Sequence, residues 1–229
     1  MSLLEKIVRG LPVSPDIQQA LTSPDLLRKH ALYLRLPHLL APAYGPVTPQ
    51  QLEQLSAYGY LYFRFLVEFD QVLDQAGHQP LSAAATGRIF EFCAVYEAAI
   101  RGLSALFPEA DPFWNHFAQC KREYAGSNRQ EKTLAATRPA FTAAMFEELA
   151  AGKSAACYAM VHALDSLSGR SQPSTPLLTC LRHVHIGLQC LDDVDDFVQD
   201  LHHRQYTFAH YGVISENGIN STLRPGKGT

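Results

Sequence analysis

The sequence predicts an all-α protein. Apolar residues recur at helical spacing over long stretches without proline, strand signals are scarce, and clusters of Gly, Pro and Ser separate the helical stretches. The chain has 229 residues, of which 47% are hydrophobic, and this is enough to bury one substantial core. We therefore expect a single helical bundle domain over residues 1–211, followed by an irregular tail over residues 212–229.

The long helices can be placed in order along the chain. Thr48 is a suitable N-cap for the first of them, and Pro49 suits its first turn. Residues 168–176, SGRSQPSTP, read as a loop. The expected helices cover residues 51–76, 83–106, roughly 112–123 with room to continue past Gly126, a pair within 138–168 that is interrupted near Gly152, and about 177–203.

Charge and cysteine usage exclude several functional classes. The net charge of -3 and the absence of a basic run speak against nucleic acid as a partner. The five cysteines form no CxxC pair and lie in apolar segments, as reduced cysteines of a cytoplasmic protein do. No apolar run reaches the roughly 18 residues that a transmembrane helix needs, and the N-terminal apolar part is too short for a signal peptide. We expect a cytoplasmic protein without a transmembrane segment.

Five aspartates crowd the segment QCLDDVDDFVQD, residues 189–200. On a helix, Asp192, Asp196 and Asp200 fall at i, i+4 and i+8 and form one row, which we call the C-terminal ridge. Asp193 flanks the same face, while Asp195 points further round. Like charges at this spacing cost a helix about 0.2–0.5 kcal/mol per pair. The arrangement therefore indicates a bound cation rather than a gain in stability.

Two more aspartates, Asp70 and Asp74, lie at i, i+4 near the end of the first long helix and form the first ridge. Apolar and aromatic residues lie one to two turns before them, at Tyr62, Phe63 and Leu66. If the two helices face each other, the carboxylates meet at the mouth of an apolar cavity. Oxygen ligands favour a hard cation, Mg²⁺ above all. An isolated pair at this spacing is also typical of a solvated helix face, so that alternative stays open.

Both segments resemble the aspartate motifs of the class I isoprenoid synthases, which include prenyl-diphosphate synthases, squalene and phytoene synthases, and terpene cyclases. Residues 189–196 fit the second motif, Q-x-x-D-D-x-x-D, and residues 200–207 resemble the D-x-x-x-R-x-Y-T continuation of bacterial members related to the large-terpene synthases. Residues 70–74 match the first motif, D-D-x-x-D, with Gln71 in place of the second acid. The resemblance implies an isoprenoid-synthase-type bundle around a central apolar cavity, here short at the C-terminus because the chain ends soon after Asp200.

The resemblance also implies a function, that of a Mg²⁺-dependent terpene synthase. Such a carbon–oxygen lyase ionises an allylic prenyl diphosphate to a carbocation that is cyclised or quenched. The implied catalytic residues are Asp70, Asp192 and Asp196. The implied Mg²⁺ ligands are Asp70, Asp74, Asp192, Asp196 and Asp200. The implied substrate-binding residues are Gln189, Arg204, Lys153 and Tyr206, with Tyr62, Phe63 and Leu66 at the cavity wall.

Several of these roles have an alternative in the sequence. Arg204 follows Asp200 by one turn and can pair with it instead, Tyr206 can simply pack, and the apolar residues before the first ridge fit an ordinary helix–helix core equally well. Asp193 is an acceptor next to the ligands rather than a ligand. Arg64 lies off the face of Asp70, which favours a surface position.

Two other functions remain open. One is a prenyltransferase of the chain-elongating or head-to-head type, although chain elongation usually needs the full first motif, and Gln71 counts against it. The other is a non-catalytic helical binding protein that retains the fold. The expected partner is a prenyl diphosphate substrate, and a homodimer is compatible with the sequence.

Overall fold

The computed structural model describes residues 1–76, 80–170, 172–198, 200 and 207–211, with the backbone alone for residues 74–76. Throughout that part of the chain the regular elements are helices and no strand occurs, which confirms the predicted all-α class. The helices are α1 Leu3–Arg9, α2 Pro15–Thr22, α3 Pro24–Lys29, α4 Ala31–Leu40, a 3-10 helix Ala41–Ala43, α5 Pro49–Ala76, α6 Ala83–Leu106, α7 Phe113–Thr137, α8 Ala143–Lys153, α9 Ala155–Leu167 and α10 Thr175–Asp195.

The described chain divides into two compact units. The first comprises Met1–Phe117 and Ala159–Ser174, and the second comprises Ala118–Tyr158 and the described residues from Thr175 onward. The division falls inside α7 and inside α9, so each of these helices contributes residues to both units. The single domain expected over residues 1–211 stays a prediction, and the expected tail over residues 212–229 lies outside the described residues.

The first unit begins with four short helices that the sequence analysis did not place. Side-chain caps fix the starts of two of them, α1 and α3. At α1 the Ser2 hydroxyl accepts a hydrogen bond from the Glu5 backbone N–H at 3.3 Å, and the Glu5 carboxylate accepts one from the Ser2 N–H at 2.8 Å. This reciprocal capping box satisfies two of the N–H groups that a helix start leaves open. Ser23 caps α3 in a similar way by accepting from the backbone N–H of Leu26.

Helices α5 and α6 form the main helix pair of the first unit. Their approach is close because Gly102 of α6 carries no side chain. A Cβ atom at that position would come within 2.2 Å of the Tyr58 ring on α5. Around this contact the two helices bury a continuous apolar core, in which Leu55, Leu61, Val95 and Leu103 are fully buried. The packing of these faces by hydrophobic burial accounts for the long amphipathic pattern in the sequence.

Arg64 of α5 corrects one expectation, because it is buried rather than at the surface. Its guanidinium pairs with Glu68 one turn later at 2.5 Å, and Glu68 also accepts from Arg88 of α6 at 2.6 and 2.8 Å. A second Arg64 N–H group donates to the ring Nε2 of His30 at 3.2 Å. These partners bind both terminal nitrogens of the buried guanidinium, while Arg64 Nε has no hydrogen-bond partner in the described part of the chain.

A small hollow lies beside this buried ion pair, within the first unit. Its volume is about 10 Å³, which is room for about one water molecule. The residues around it are mostly apolar or aromatic, and they come from α5 and α6: Phe65, Glu68, Phe69, Val72, Arg88, Ile89 and Phe92. A prenyl chain does not fit into a space of this size, so this hollow is not the large apolar cavity that the resemblance implies.

The second unit is held together by an apolar cluster from α7, α8 and the loop between them. Phe141 and Phe146 are buried there, and the Phe208 ring stacks on Phe146 with centroids 5.1 Å apart. Helices α8 and α10 pack against each other. In the part of the chain that the structure describes, no helix is long and apolar enough to cross a membrane.

Candidate functional site

The C-terminal ridge follows a helical path at the end of α10. The backbone N–H of Asp196 donates to the carbonyl of Asp192 at 2.9 Å, and that of Asp200 donates to the carbonyl of Asp196 at 2.8 Å. The side chains of Asp192 and Asp196 are exposed, and Asp200 is half-buried. The three aspartates thus succeed one another at one-turn intervals, and two of them are open to solvent.

Asp193 lies on the buried face of α10, where 8% of the residue remains exposed. It follows Leu181, His185 and Gln189 at four-residue intervals, so all four lie along one side of the helix. The Gln189 side-chain N–H donates to Asp193 Oδ1 at 2.9 Å. Burial raises the pKa of Asp193 above its ordinary value, the Gln189 hydrogen bond and the Lys153 charge lower it, and the nearby Asp200 and Asp192 raise it.

Asp200 extends this acidic environment and links it to α7. Burial raises the pKa of Asp200, as do the charges of Asp196, Asp192 and Glu131, while His210 acts in the opposite direction. His210 is buried, and its Nε2 lies 2.8 Å from the carbonyl oxygen of Phe197. The second unit therefore brings carboxylates from α10 and α7 near Asp200. Their charges raise its pKa in addition to the larger effect of burial.

Glu131 is a part of this environment that the sequence analysis missed. Its carboxylate accepts a hydrogen bond from the Lys153 ammonium at 2.8 Å, and the two side chains remain only 26% and 22% exposed. Glu131 lies on α7 and Lys153 ends α8, so no local spacing in the sequence connects them. The Lys153 charge also lowers the pKa of Asp193, and the role of Lys153 as a substrate-binding residue stays a prediction.

The first ridge belongs to the first unit. Asp70 is half-buried on α5, and Phe69 and Leu73 beside it are exposed. Asp74 continues the same helix, but its side chain lies outside the described part of the structure. The roles of Asp70 and Asp74 as Mg²⁺ ligands stay predictions.

The three apolar residues before the first ridge are packed within the first unit. The Tyr62 ring lies 4.9 Å from that of Phe117, measured between ring centroids. The Phe63 ring stacks on Tyr33 with centroids 4.0 Å apart, and Leu66 is buried. Core packing accounts for their positions, and their role at a cavity wall stays a prediction.

Arg204 and Tyr206, the two remaining predicted substrate-binding residues, lie outside the described residues. Among the residues that are described, no three Asp, Glu, His or Cys side chains are grouped closely enough to hold a metal ion together. The donor chemistry of the C-terminal ridge nevertheless fits Mg²⁺. This ion keeps several waters and is commonly bound through one or two carboxylates plus substrate phosphates.

Comparison with known proteins found no relative of this chain. No protein-family profile, no curated protein and no solved structure matches the chain. The likeness to the class I isoprenoid synthases therefore stands on the two aspartate motifs and their surroundings.

Proposed function

We propose that the chain is a Mg²⁺-dependent enzyme of the terpene synthase type, which ionises an allylic prenyl diphosphate to a carbocation. One observation carries the proposal: the second unit assembles Asp192, Asp193, Asp196 and Asp200 at the end of α10, and Glu131 of α7 adds its charge to theirs. Like charges at one-turn spacing cost a helix about 0.2–0.5 kcal/mol per pair, and a bound cation would offset that cost. Raised carboxylate pKa values of this kind are frequent at functional sites.

In this proposal the C-terminal ridge holds the ion. Asp192 and Asp196 are exposed one turn apart, so both can approach a hydrated Mg²⁺, and Asp200 follows in the same row. The motif resemblance adds Asp70 and Asp74 to the ligand set, and that part of the proposal rests on the resemblance alone. When bound, Mg²⁺ would supply Lewis-acid neutralisation of the charge that develops on the diphosphate leaving group.

The chain's own residues have distinct tasks around the diphosphate. Gln189 uses one side-chain N–H to bond Asp193, which fixes the orientation of its amide and leaves a second N–H for a diphosphate oxygen. Tyr62, Phe63 and Leu66 keep the task that the resemblance assigns to them, namely to line the apolar wall for the carbocation. Aromatic faces stabilise a nearby cation by about 0.5–2 kcal/mol each.

The test is turnover by the purified chain with Mg²⁺ and prenyl diphosphates of two to five isoprene units. Pyrophosphate release and extracted hydrocarbons are measured. Asp192→Asn is expected to lower the rate by on the order of 100-fold or more, since a metal ligand supplies several kcal/mol of transition-state stabilisation. The matched control is Asp195→Asn, which removes the same charge from an exposed position of the same helix off the ridge, and it is expected to stay within about threefold of the unchanged chain.

Each result has a definite meaning. Release of pyrophosphate with cyclic or linear terpene products supports the proposal, and products longer than the substrate indicate a prenyltransferase instead. Binding of a prenyl diphosphate without any release indicates a non-catalytic binding protein. Equal rates for Asp192→Asn and Asp195→Asn would contradict the assignment of the ridge as the metal site.

A further inference from the structure

A groove that is open to solvent lies within the first unit, where α1 meets α5 and α6. Its volume is about 370 Å³, and the residues that line it come from these three helices and from Gly10 and Leu11, which directly follow α1. Pockets that bind small molecules commonly have volumes of about 300–1,000 Å³. The groove falls at the lower end of that range and therefore suits a small ligand.

The deeper part of the groove is apolar. Leu11 and Ala98 are buried there, and Tyr58 is half-buried. The Tyr58 ring lies directly against the backbone of α6, because a Cβ atom at Gly102 would come within 2.2 Å of it. At the edge of the groove, α6 carries only the small side chain of Ala105, which is exposed. An apolar group in the groove would therefore be removed from water, which is favourable.

Two cations from different helices line the same groove. Lys6 of α1 and Arg101 of α6 are both exposed, and within the described part of the chain neither forms an ion pair or a side-chain hydrogen bond. By contrast, Arg64 and Arg88 of the same unit share the carboxylate of Glu68. None of the described residues that line the groove is acidic. The groove thus combines an apolar surface with two positive charges that have no counter-charge.

The acidic residues closest to these cations in sequence do not pair with them in the described structure. The Glu5 carboxylate, next to Lys6 on α1, accepts a hydrogen bond from the Ser2 N–H at 2.8 Å as part of the capping box. Glu97 lies one turn before Arg101 on α6, and no ion pair joins these two described residues. An anion that enters the groove therefore meets cations that are not already bound to a carboxylate.

We propose that this groove binds a small anionic amphiphile, a single apolar chain that ends in a carboxylate or phosphate group. The chain lies on the apolar surface around Tyr58, and Lys6 and Arg101 bind the headgroup. The planar guanidinium of Arg101 suits the paired oxygens of either headgroup. The volume of about 370 Å³ favours one short chain over the two chains of a membrane lipid. The site lies in the first unit, needs no metal ion and does not depend on the proposed function.

The test is isothermal titration calorimetry of the whole chain with decanoate and, separately, with decyl phosphate. Both are used below the concentrations at which they form micelles, and EDTA is present to remove divalent cations. At least one of them is expected to bind with one-to-one stoichiometry, and the tighter of the two identifies the headgroup. Decanol, which has the chain without the charge, is expected to bind about 10-fold or more weakly, since it lacks the charge-assisted hydrogen bonds.

Two pairs of variants locate the ligand in the groove. Lys6→Met removes a headgroup donor and is expected to weaken binding by about 10-fold. Its matched control is Arg9→Met, which removes an exposed charge of the same helix outside the groove and is expected to change binding by less than about threefold. Ala105→Phe fills the space of the chain and is expected to weaken binding by about 10-fold or more. Its control is Ser104→Phe, which adds the same ring at the neighbouring exposed position outside the groove.

All four substituted positions are exposed, so the variants are expected to keep the fold, and thermal unfolding followed by circular dichroism checks this. The inference is overturned if the unchanged chain binds neither amphiphile, or if decanol binds as tightly as both of them. It is also overturned if the two variants of either pair have equal effects. Because the titrations contain EDTA, amphiphile binding in a chain without Mg²⁺-dependent turnover would refute the proposed catalysis and leave the inference intact. Turnover without amphiphile binding would do the reverse.

Discussion

The buried ion pair of α5 gives the most direct test of the first unit. Arg64 and Glu68 have side chains that are only 5% and 6% exposed, and Glu68 is shared with Arg88, whose side chain is 50% exposed. Glu68→Gln leaves the Arg64 guanidinium buried without a counter-charge, although the Gln amide oxygen still accepts one hydrogen bond. Breaking one partner of a buried pair costs about 3–5 kcal/mol. Because Arg88 can regain water, we expect a loss near the lower limit, about 3 kcal/mol.

The measurement is urea unfolding of the whole chain, followed by far-ultraviolet circular dichroism. Asp25→Asn is the matched control, because it neutralises an acid in an arginine pair whose side chains are 79% and 88% exposed. Exposed pairs contribute about 0–1 kcal/mol. A loss in Glu68→Gln no larger than that of Asp25→Asn would refute the argument that burial makes this pair essential.

A double variant checks the cause of the loss. Arg64→Met with Glu68→Leu removes both charges and fills the space with apolar atoms, and such replacements of buried ion pairs are often neutral or stabilising. We expect the double variant to be more stable than Glu68→Gln alone. If it is less stable, the loss in the single variant comes from packing rather than from the uncompensated charge.

Three further predictions concern single positions. Gly102→Ala is expected to destabilise the chain by about 1–3 kcal/mol in urea unfolding, because its Cβ would meet the Tyr58 ring. Gly87→Ala on the same helix meets no neighbouring atom, so the same measurement is expected to show a gain of about 0.5–1 kcal/mol. Burial and the nearby Arg64 charge lower the pKa of His30 to about 4. The free energy of unfolding should therefore fall by at most about 3 kcal/mol as the pH drops from about 6.5 to 4, and a His30→Gln variant should lack this pH-dependent loss. Burial raises the pKa of Asp193, so its ionised form opposes folding near neutral pH, and Asp193→Asn is expected to raise the free energy of unfolding at pH 7. Protonation of Asp193 should stabilise the unchanged chain as the pH falls, and the variant should not show this increase.

The long helices were predictable because their signals are local and repeated. The expected helix over residues 83–106 has the observed bounds, and the expected helix from residue 51 begins two residues earlier, at Pro49. The third helix runs through Gly126 to Thr137, since one glycine costs a helix only about 1 kcal/mol and a helix of this length absorbs that cost. The short helices α1 to α4 escaped the analysis because six to ten residues carry too little periodicity. Their remaining signals were caps such as Ser2 with Glu5.

The candidate site was predictable only where its residues share one helix. The spacing of Asp192, Asp196 and Asp200 follows from sequence, but the partner of Lys153 does not, because Glu131 comes from another helix. Arg64 was misplaced for a related reason, since its position was judged against Asp70. Its spacing to Glu68, four residues later among aromatic side chains, was the signal of a buried pair.

The distribution of side chains around α10 argues that this helix is not arranged for stability alone. Its buried side carries Leu181, His185 and Asp193, with the half-buried Gln189 between the last two, while four apolar residues lie exposed: Val184, Leu188, Leu191 and Val194. A helix selected only to pack would show the opposite arrangement. The Asp193 carboxylate accepts a hydrogen bond from Gln189, and the Lys153 charge lowers its pKa against the effect of burial, so we expect these two groups to account for an acid at this buried position. If Asp193→Asn stabilises the chain and also weakens pyrophosphate binding with Mg²⁺, the carboxylate lowers folding stability and contributes to ligand binding. If it destabilises the chain and leaves that binding unchanged, Asp193 is a structural acid with no part in pyrophosphate binding.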